Sequence, residues 1–226
     1  MSEAFLEAIK KGDLAGVREM LARDPTRKDV RTAEGIHAAV FALYSGRDDV
    51  AKAILAHAPT LDLHSAAAVG DLARVAALVD RDPALVGSYS ADGFPPLGLA
   101  AYLGHRGVVG YLLSKGADVN QAGRNPGKFT ALTGAVATGH LNVVRVLLDA
   151  GANPNYWYGG GFTPVLEAAA NGDIPILELL LAHGGDPTAE TEQGKTAVSL
   201  ALEKGHPDAA AFLRARGAND RSGGRD

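Results

Sequence analysis

Residues 161–186 read GFTPVLEAAANGDIPILELLLAHGGD and hold two apolar helical runs, Pro164 to Asn171 and Ile174 to His183, joined by a Gly172-Asp173 turn. Thr163-Pro164 opens the first run as a helix start. A hydroxyl there caps free amide groups, and proline takes a first-turn position where its missing N–H costs nothing. In the second run Ile176, Leu177, Leu180 and Leu181 share one face at helical spacing, whereas Glu178 and His183 point elsewhere. Gly184-Gly185 closes that run, because glycine enters the left-handed conformation without steric cost. A hairpin of two short helices cannot bury its apolar face alone, so the fragment requires copies of itself.

The copies follow from the glycine in the middle of each unit: Gly12, Gly46, Gly70, Gly104, Gly139, Gly172 and Gly205, separated by 34, 24, 34, 35, 33 and 33 residues. Eight and nine residues after each comes a mostly aliphatic pair: Met20-Leu21, Ile54-Leu55, Leu78-Val79, Leu112-Leu113, Leu147-Leu148 and Leu180-Leu181, with Leu213-Arg214 in the last copy. Before the glycine lie small residues, among them Ala66-Ala67, Ala100-Ala101 and Ala168-Ala169, which let neighbouring helices approach closely. A period near 33 residues built in this way predicts a stacked, all-α solenoid of helix-turn-helix units.

These residues resemble the ankyrin repeats, whose unit carries a Thr-Pro-Leu-His start, an Ala-Ala pair, a Gly-His turn, a Leu-Leu pair and a Gly-Ala-Asp-Val-Asn end. Matching stretches are Thr163-Pro164, Ala168-Ala169, Gly104-His105, Gly139-His140, Gly205-His206, Gly116-Ala117-Asp118-Val119-Asn120 and Gly151-Ala152-Asn153-Pro154-Asn155. The resemblance spans about residues 3–219 and implies seven repeats with short β-hairpin or loop fingers. It implies a scaffold more than a particular ligand, because the family is defined by what stacks its repeats.

The expected organisation is one array over residues 1–220, followed by a disordered tail at 221–226. One irregularity interrupts it. From Gly46 to Gly70 is 24 residues, about ten short of the period, so the finger before the third inner helix is expected to be missing. Gly70-Asp71-Leu72-Ala73 repeats Gly12-Asp13-Leu14-Ala15, and Asp82-Pro83 repeats Asp24-Pro25. Two sub-arrays, 1–57 and 61–220, fused at a junction without a finger, is the economical reading, with a private deletion as its alternative.

Bulk chemistry narrows the partners. A net charge of −4 and a pI near 6.0 argue against nucleic acid and acidic membrane surfaces, because phosphate binding needs a basic stripe. Lys10-Lys11 and Arg214-Ala215-Arg216 are short solvated faces. The chain has no cysteine, and therefore no disulfide, thiol nucleophile or thiolate metal site. No stretch approaches the 18 or so apolar residues of a membrane span, and the start MSEAFLEAIKKGD shows no cleavage site, so a cytoplasmic, monomeric protein is the default expectation. Alanine richness with more arginine than lysine points to a GC-rich bacterial source.

The aromatic residues are unevenly placed. The family geometry puts the fingers and the exposed ends of the inner helices along a concave groove. By that carry-over, Phe94, Phe129 and Phe162 follow the finger turn in three successive repeats. Tyr102 and Leu103 precede Gly104, Tyr44 holds the matching place in the second repeat, and Tyr156-Trp157-Tyr158 stands before Gly159-Gly160-Gly161. Eight of the 13 aromatic residues fall on this side, enough to mark it as the candidate binding face. Large aromatics left in water forgo roughly 1.5–3 kcal/mol each and dominate interface hot spots. The three phenylalanines also have a plain structural reading, packing finger to finger, whereas Tyr102, Tyr156, Trp157 and Tyr158 keep a polar handle for solvent or a partner.

Residues capable of chemistry are few. His105, His140 and His206 follow turn glycines, His64 matches the Thr-Pro-Leu-His histidine, and His183 sits at a helix end, so all five read as repeat structure and none as a metal ligand. Gly159-Gly160-Gly161 lacks the Lys-Ser/Thr of a phosphate loop and reads as a turn. Asp92 and Glu167, with Asn171, are the one polar set near the aromatic groove. The expected function is a protein-protein interaction module without catalytic residues, metal or cofactor, binding an unidentified apolar protein segment. A small-molecule or catalytic pocket built from the aromatic cluster with Asp92 and Glu167, closed beneath the Tyr156–Tyr158 loop, is the alternative; self-assembly through the junction or an end repeat is a third.

Overall fold

The computed structural model describes residues 2–219; the tail expected at 221–226 lies outside them. Among the described residues, fourteen α-helices pair into seven antiparallel hairpins: α1 (Ser2–Lys11) with α2 (Leu14–Arg23), α3 (Ala38–Tyr44) with α4 (Asp48–Leu55), α5 (Leu63–Val69) with α6 (Leu72–Arg81), α7 (Pro96–Tyr102) with α8 (Arg106–Ser114), α9 (Ala131–Ala137) with α10 (Leu141–Asp149), α11 (Pro164–Asn171) with α12 (Ile174–Ala182), and α13 (Ala197–Glu203) with α14 (Pro207–Arg214). The odd-numbered helices stack in sequence as an inner layer, and the even-numbered helices form the outer one. No helix among the described residues is long and apolar enough to cross a membrane.

Local sequence explains the helix ends. Thr130, Thr163 and Thr196 cap α9, α11 and α13 by accepting the backbone N–H groups of Thr133, Leu166 and Ser199. In the Gly-Asp turns the aspartate caps the outer helix instead: Asp13, Asp71 and Asp173 accept from Gly16, Arg74 and Ile176. Where histidine follows the glycine it does a different job. A Cβ added at Gly70, Gly104 or Gly172 would lie 2.5–2.7 Å from the ring of His105, His140 or His206 of the next unit, so the bare glycine is what lets each ring settle there. The Nε2 of His105 lies 2.9 Å from the Ala68 carbonyl oxygen, which ties unit to unit.

Asparagines and fingers lace the units together on the other side. Asn120 donates from Nδ2 to the Gly151 carbonyl and accepts from the Asn153 amide; Asn155 repeats both bonds with Gly184 and Asp186. Isolated antiparallel bridges close three fingers, at Arg31–His37, Tyr158–Phe162 and Glu190–Thr196. Adjacent fingers are joined by backbone bonds, from the Arg124 amide to the Gly93 carbonyl (2.8 Å) and from the Glu192 amide to the Gly160 carbonyl (3.1 Å).

The connection between α4 and α5 is residues 56–62, half the length of the 82–95 connection between α6 and α7, and holds none of the three bridges. It is stitched to the preceding finger by Lys28 Nζ on the Ala58 carbonyl (2.9 Å), the Thr60 amide on Asp29, and Arg31 on Asp62 (2.9 Å). The apolar interior follows this break. One cluster runs from Phe5 to Ile54 and another from Leu61 to Leu213, while a small patch of Val40, Ala68 and Leu99 sits between the inner helices α3, α5 and α7.

Candidate functional site

An apolar cleft of about 370 Å³ opens on the face formed by the inner helices and the fingers. Its walls are Tyr44 at the end of α3, Tyr102 at the end of α7, and Phe94 and Phe129 on two fingers. Buried Gly98 and Leu99 of α7, Gly134 of α9 and the cap residue Thr130 line its floor, and Ala137 of α9 lines it from an exposed position. Tyr44 and Tyr102 meet edge to face, with ring centroids 6.4 Å apart. Tyr102 remains 43% exposed beside the cleft and Phe129 is also exposed, so the walls are open to a partner.

The remaining aromatic candidates divide by environment. Phe129, Tyr158 and Phe162 form a chain of ring contacts, with centroids 5.4 and 6.4 Å apart, whereas Phe94 packs onto the Val40, Ala68 and Leu99 patch together with Leu103. Tyr158 departs from its expected place: it is only 8% exposed, and its hydroxyl donates to Glu167 (3.2 Å). Burial, and then the Glu167 carboxylate, push its phenol far above the ordinary range. The reason is the finger itself, which folds back through the Gly159–Gly161 turn and lays Tyr158 between two phenylalanine rings. The hydroxyl of Tyr156 donates to the Lys128 carbonyl (3.0 Å) and joins two fingers, while Trp157 stands 59% exposed. Asn171 donates to the carbonyls of Val136 and Ala137, at the end of the neighbouring inner helix.

The two carboxylates do not meet in the cleft. Asp92 accepts from the hydroxyls of Tyr44 (3.2 Å) and Ser90 (2.5 Å) and lines a second, polar recess; Glu167 is held by Tyr158. Burial, and then Asp92, push the phenol of Tyr44 far upward, so it stays protonated and donating. The cleft also lies at Tyr44, Tyr102 and Phe129 rather than beneath the Tyr156–Tyr158 loop, where the pocket alternative had placed it. Among the described residues, no group of three or more His, Asp or Glu side chains is placed to hold a metal ion.

Sequence reasoning passed over the glycines of the floor. Their signal was present in the helical runs PLGLAAY and ALTGAVA, where Gly98 and Gly134 each cost helix stability of up to about 1 kcal/mol relative to alanine.

Models of ankyrin repeats match residues 63–157 and 147–201, together more than half of the chain. The chain belongs to the ankyrin repeat family. Curated ankyrin-containing relatives include the NAD-capped RNA hydrolase NUDT12 of Homo sapiens, 33% identical over 42% of this chain and 20% of that protein. The E3 ubiquitin-protein ligase XBAT33 of Arabidopsis thaliana is 46% identical over 38% of this chain and 17% of its own length. Ankyrin repeat and SAM domain-containing protein 6 of Mus musculus is 36% identical over 41% of this chain and 10% of its own. The chain thus spans a fifth or less of each, and the match to the hydrolase covers its ankyrin region. These ankyrin repeats are what the proteins share, and they support a protein-protein interaction module rather than a catalytic one.

Proposed function

We propose that this ankyrin repeat protein binds a protein partner on the finger side of its inner helices, by receiving an apolar or aromatic side chain in the cleft between Tyr44, Tyr102, Phe94 and Phe129. The observation that carries the reading is the combination of the exposed walls Tyr44, Tyr102 and Phe129 with the glycines Gly98 and Gly134 in the floor. Two helix-interior glycines weaken α7 and α9, and what they yield is depth. Exposed Trp157, two fingers along from Phe94, supplies a second contact, and a rigid stack loses little conformational entropy on binding. The occupant is an extended, apolar segment, because the cleft walls carry no charged side chain.

The test is affinity capture from a lysate of the source cell, comparing the native chain with a Tyr102→Ala, Trp157→Ala double variant and identifying bound proteins and small molecules by mass spectrometry. A protein retained by the native chain and lost from the variant is the expected result, with Trp157→Ala alone weakening the purified pair by about 2 kcal/mol at an unchanged thermal midpoint. Identical captures would make the aromatic face scaffold.

A further inference from the structure

The apolar cleft crosses the place where the interior of the molecule divides. Tyr44 ends α3, on one side of the junction, whereas Phe94, Tyr102 and Phe129 all come from residues on the other. The break in the repeat is what brings them together. The fingers of residues 31–37 and 88–94 become neighbours across the missing one, and a Cβ added at Gly35 would lie 3.1 Å from the Ala91 side chain. On the inner helices, Tyr44 and Tyr102 each stand two residues before their turn glycine. The same place in the unit between them is held by Ala68, which is fully buried, so the third unit sets no ring there and the two tyrosines meet directly.

The Tyr44 side chain is held from across the junction. Its ring packs edge to face on Tyr102, and its hydroxyl donates to Asp92 (3.2 Å), on the finger of the fourth unit. The rest of the apolar seam is thin. Val40 joins Ala68 and Leu99 in the small patch, with Ile36 and Phe94 against it, and half-buried Leu55 and Val69 pack against both large clusters. When residues 1–57 open away from α5, Tyr44 leaves with them. The cleft then keeps Phe94, Tyr102 and Phe129 and loses a wall.

We infer that an uncharged apolar side chain of the partner, seated in this cleft, fastens residues 1–57 to residues 61–219 by packing on Tyr44 from one half and on Tyr102 and Phe129 from the other. The inference rests on the reading of the cleft as the partner site. A ligand shifts an equilibrium only by its difference in affinity for the two states, and here that difference is the contact with Tyr44. The coupling is reciprocal, so docking of the two halves raises the affinity of the cleft by the same factor. The partner thereby stiffens the array that it binds, at the joint where the repeat lacks a finger.

The experiment places indole, the tryptophan side chain without its backbone, on the full chain. Its Kd is read from saturable NMR shifts of the Tyr102 and Phe129 signals, and native-state hydrogen exchange is followed with and without it. At three times that Kd, the amides of α2 and α4 that exchange through opening of residues 1–57 should slow about fourfold, the ratio set by binding that needs both walls. Tyr44 is 36% exposed, so Tyr44→Ala keeps the fold while removing the first wall. In that variant indole should bind more weakly and, at three times its new Kd, no longer slow α2 and α4. Saturable shifts in the native chain with unchanged exchange of α2 and α4 would overturn the coupling and leave the cleft a site of the second half alone. Fourfold slowing preserved in Tyr44→Ala would overturn it as well, because the protection would then arise elsewhere. Absence of saturable shifts at Tyr102 and Phe129 would sink both this inference and the partner site beneath it.

Discussion

At the scale of single residues, the repeat explains its own exceptions. The outer helices are followed by a left-handed glycine at Gly116, Gly151 and Gly184, each twelve residues after its turn glycine, with φ of 85–87°. In the second unit the same place is held by Ala58, at φ 47°. A side chain in that region costs about 1–2 kcal/mol, part of which glycine returns through its freer unfolded chain. Ala58→Gly should therefore raise stability by about 0.5–1 kcal/mol, and a lower urea midpoint would show that the junction, not the backbone region, sets the cost. The histidines give a second residue-scale expectation. Burial holds His37, His64 and His105 below the ordinary value of 6.5, so the folded chain binds fewer protons than the unfolded one as pH falls. Their stabilisation is complete above pH 6.5 and is lost as pH drops below it, before the lowered carboxylates such as Asp62 begin to titrate. The thermal midpoint should fall between pH 7.5 and pH 5, and a flat profile would contradict the burial of these rings.

At the scale of elements, α7 and α9 carry the trade between stability and shape. A Cβ at Gly134 would meet the Tyr102 side chain at 3.5 Å, an ordinary contact, so alanine fits. Gly134→Ala should gain up to about 1 kcal/mol of helix stability, while Gly134→Leu should fill the cleft and abolish capture of a partner that the native chain retains. Binding undiminished in the leucine variant would move the interface off this floor. The helices themselves were legible in the sequence because the turn glycines recur seven times and the aliphatic pairs six, with threonine and aspartate caps at several helix starts, all of them local signals. The side-chain environments were less so. Phe129 and Phe162 hold the same place on successive fingers, yet Tyr158 is buried between them because the triple-glycine turn folds its finger back, a consequence of backbone path and not of composition.

At the scale of the whole molecule, a solenoid is stable through its neighbours, and cooperativity is only as strong as its weakest interface. The inner layer crosses the junction through α3 and α5, but the apolar interior divides there, with Ile54 in the first cluster and Leu147 in the second. We propose that residues 1–57 and 61–219 are two folding units coupled through the small patch of Val40, Ala68 and Leu99 and through Leu55 and Val69, which are half-buried and pack against both clusters. Both Ile54 and Leu147 are fully buried, so alanine at either place should cost about 2–5 kcal/mol. The costs should appear in different places. Native-state hydrogen exchange of Ile54→Ala should accelerate the amides of α1–α4 while those of α9–α12 keep their protection, and Leu147→Ala should do the reverse. A single cooperative array would instead lower protection along its whole length for either variant. That outcome would mean that the bonds from Lys28, Asp29 and Arg31 across the junction couple the halves as firmly as a finger would, and that the lost residues were a local deletion without mechanical consequence.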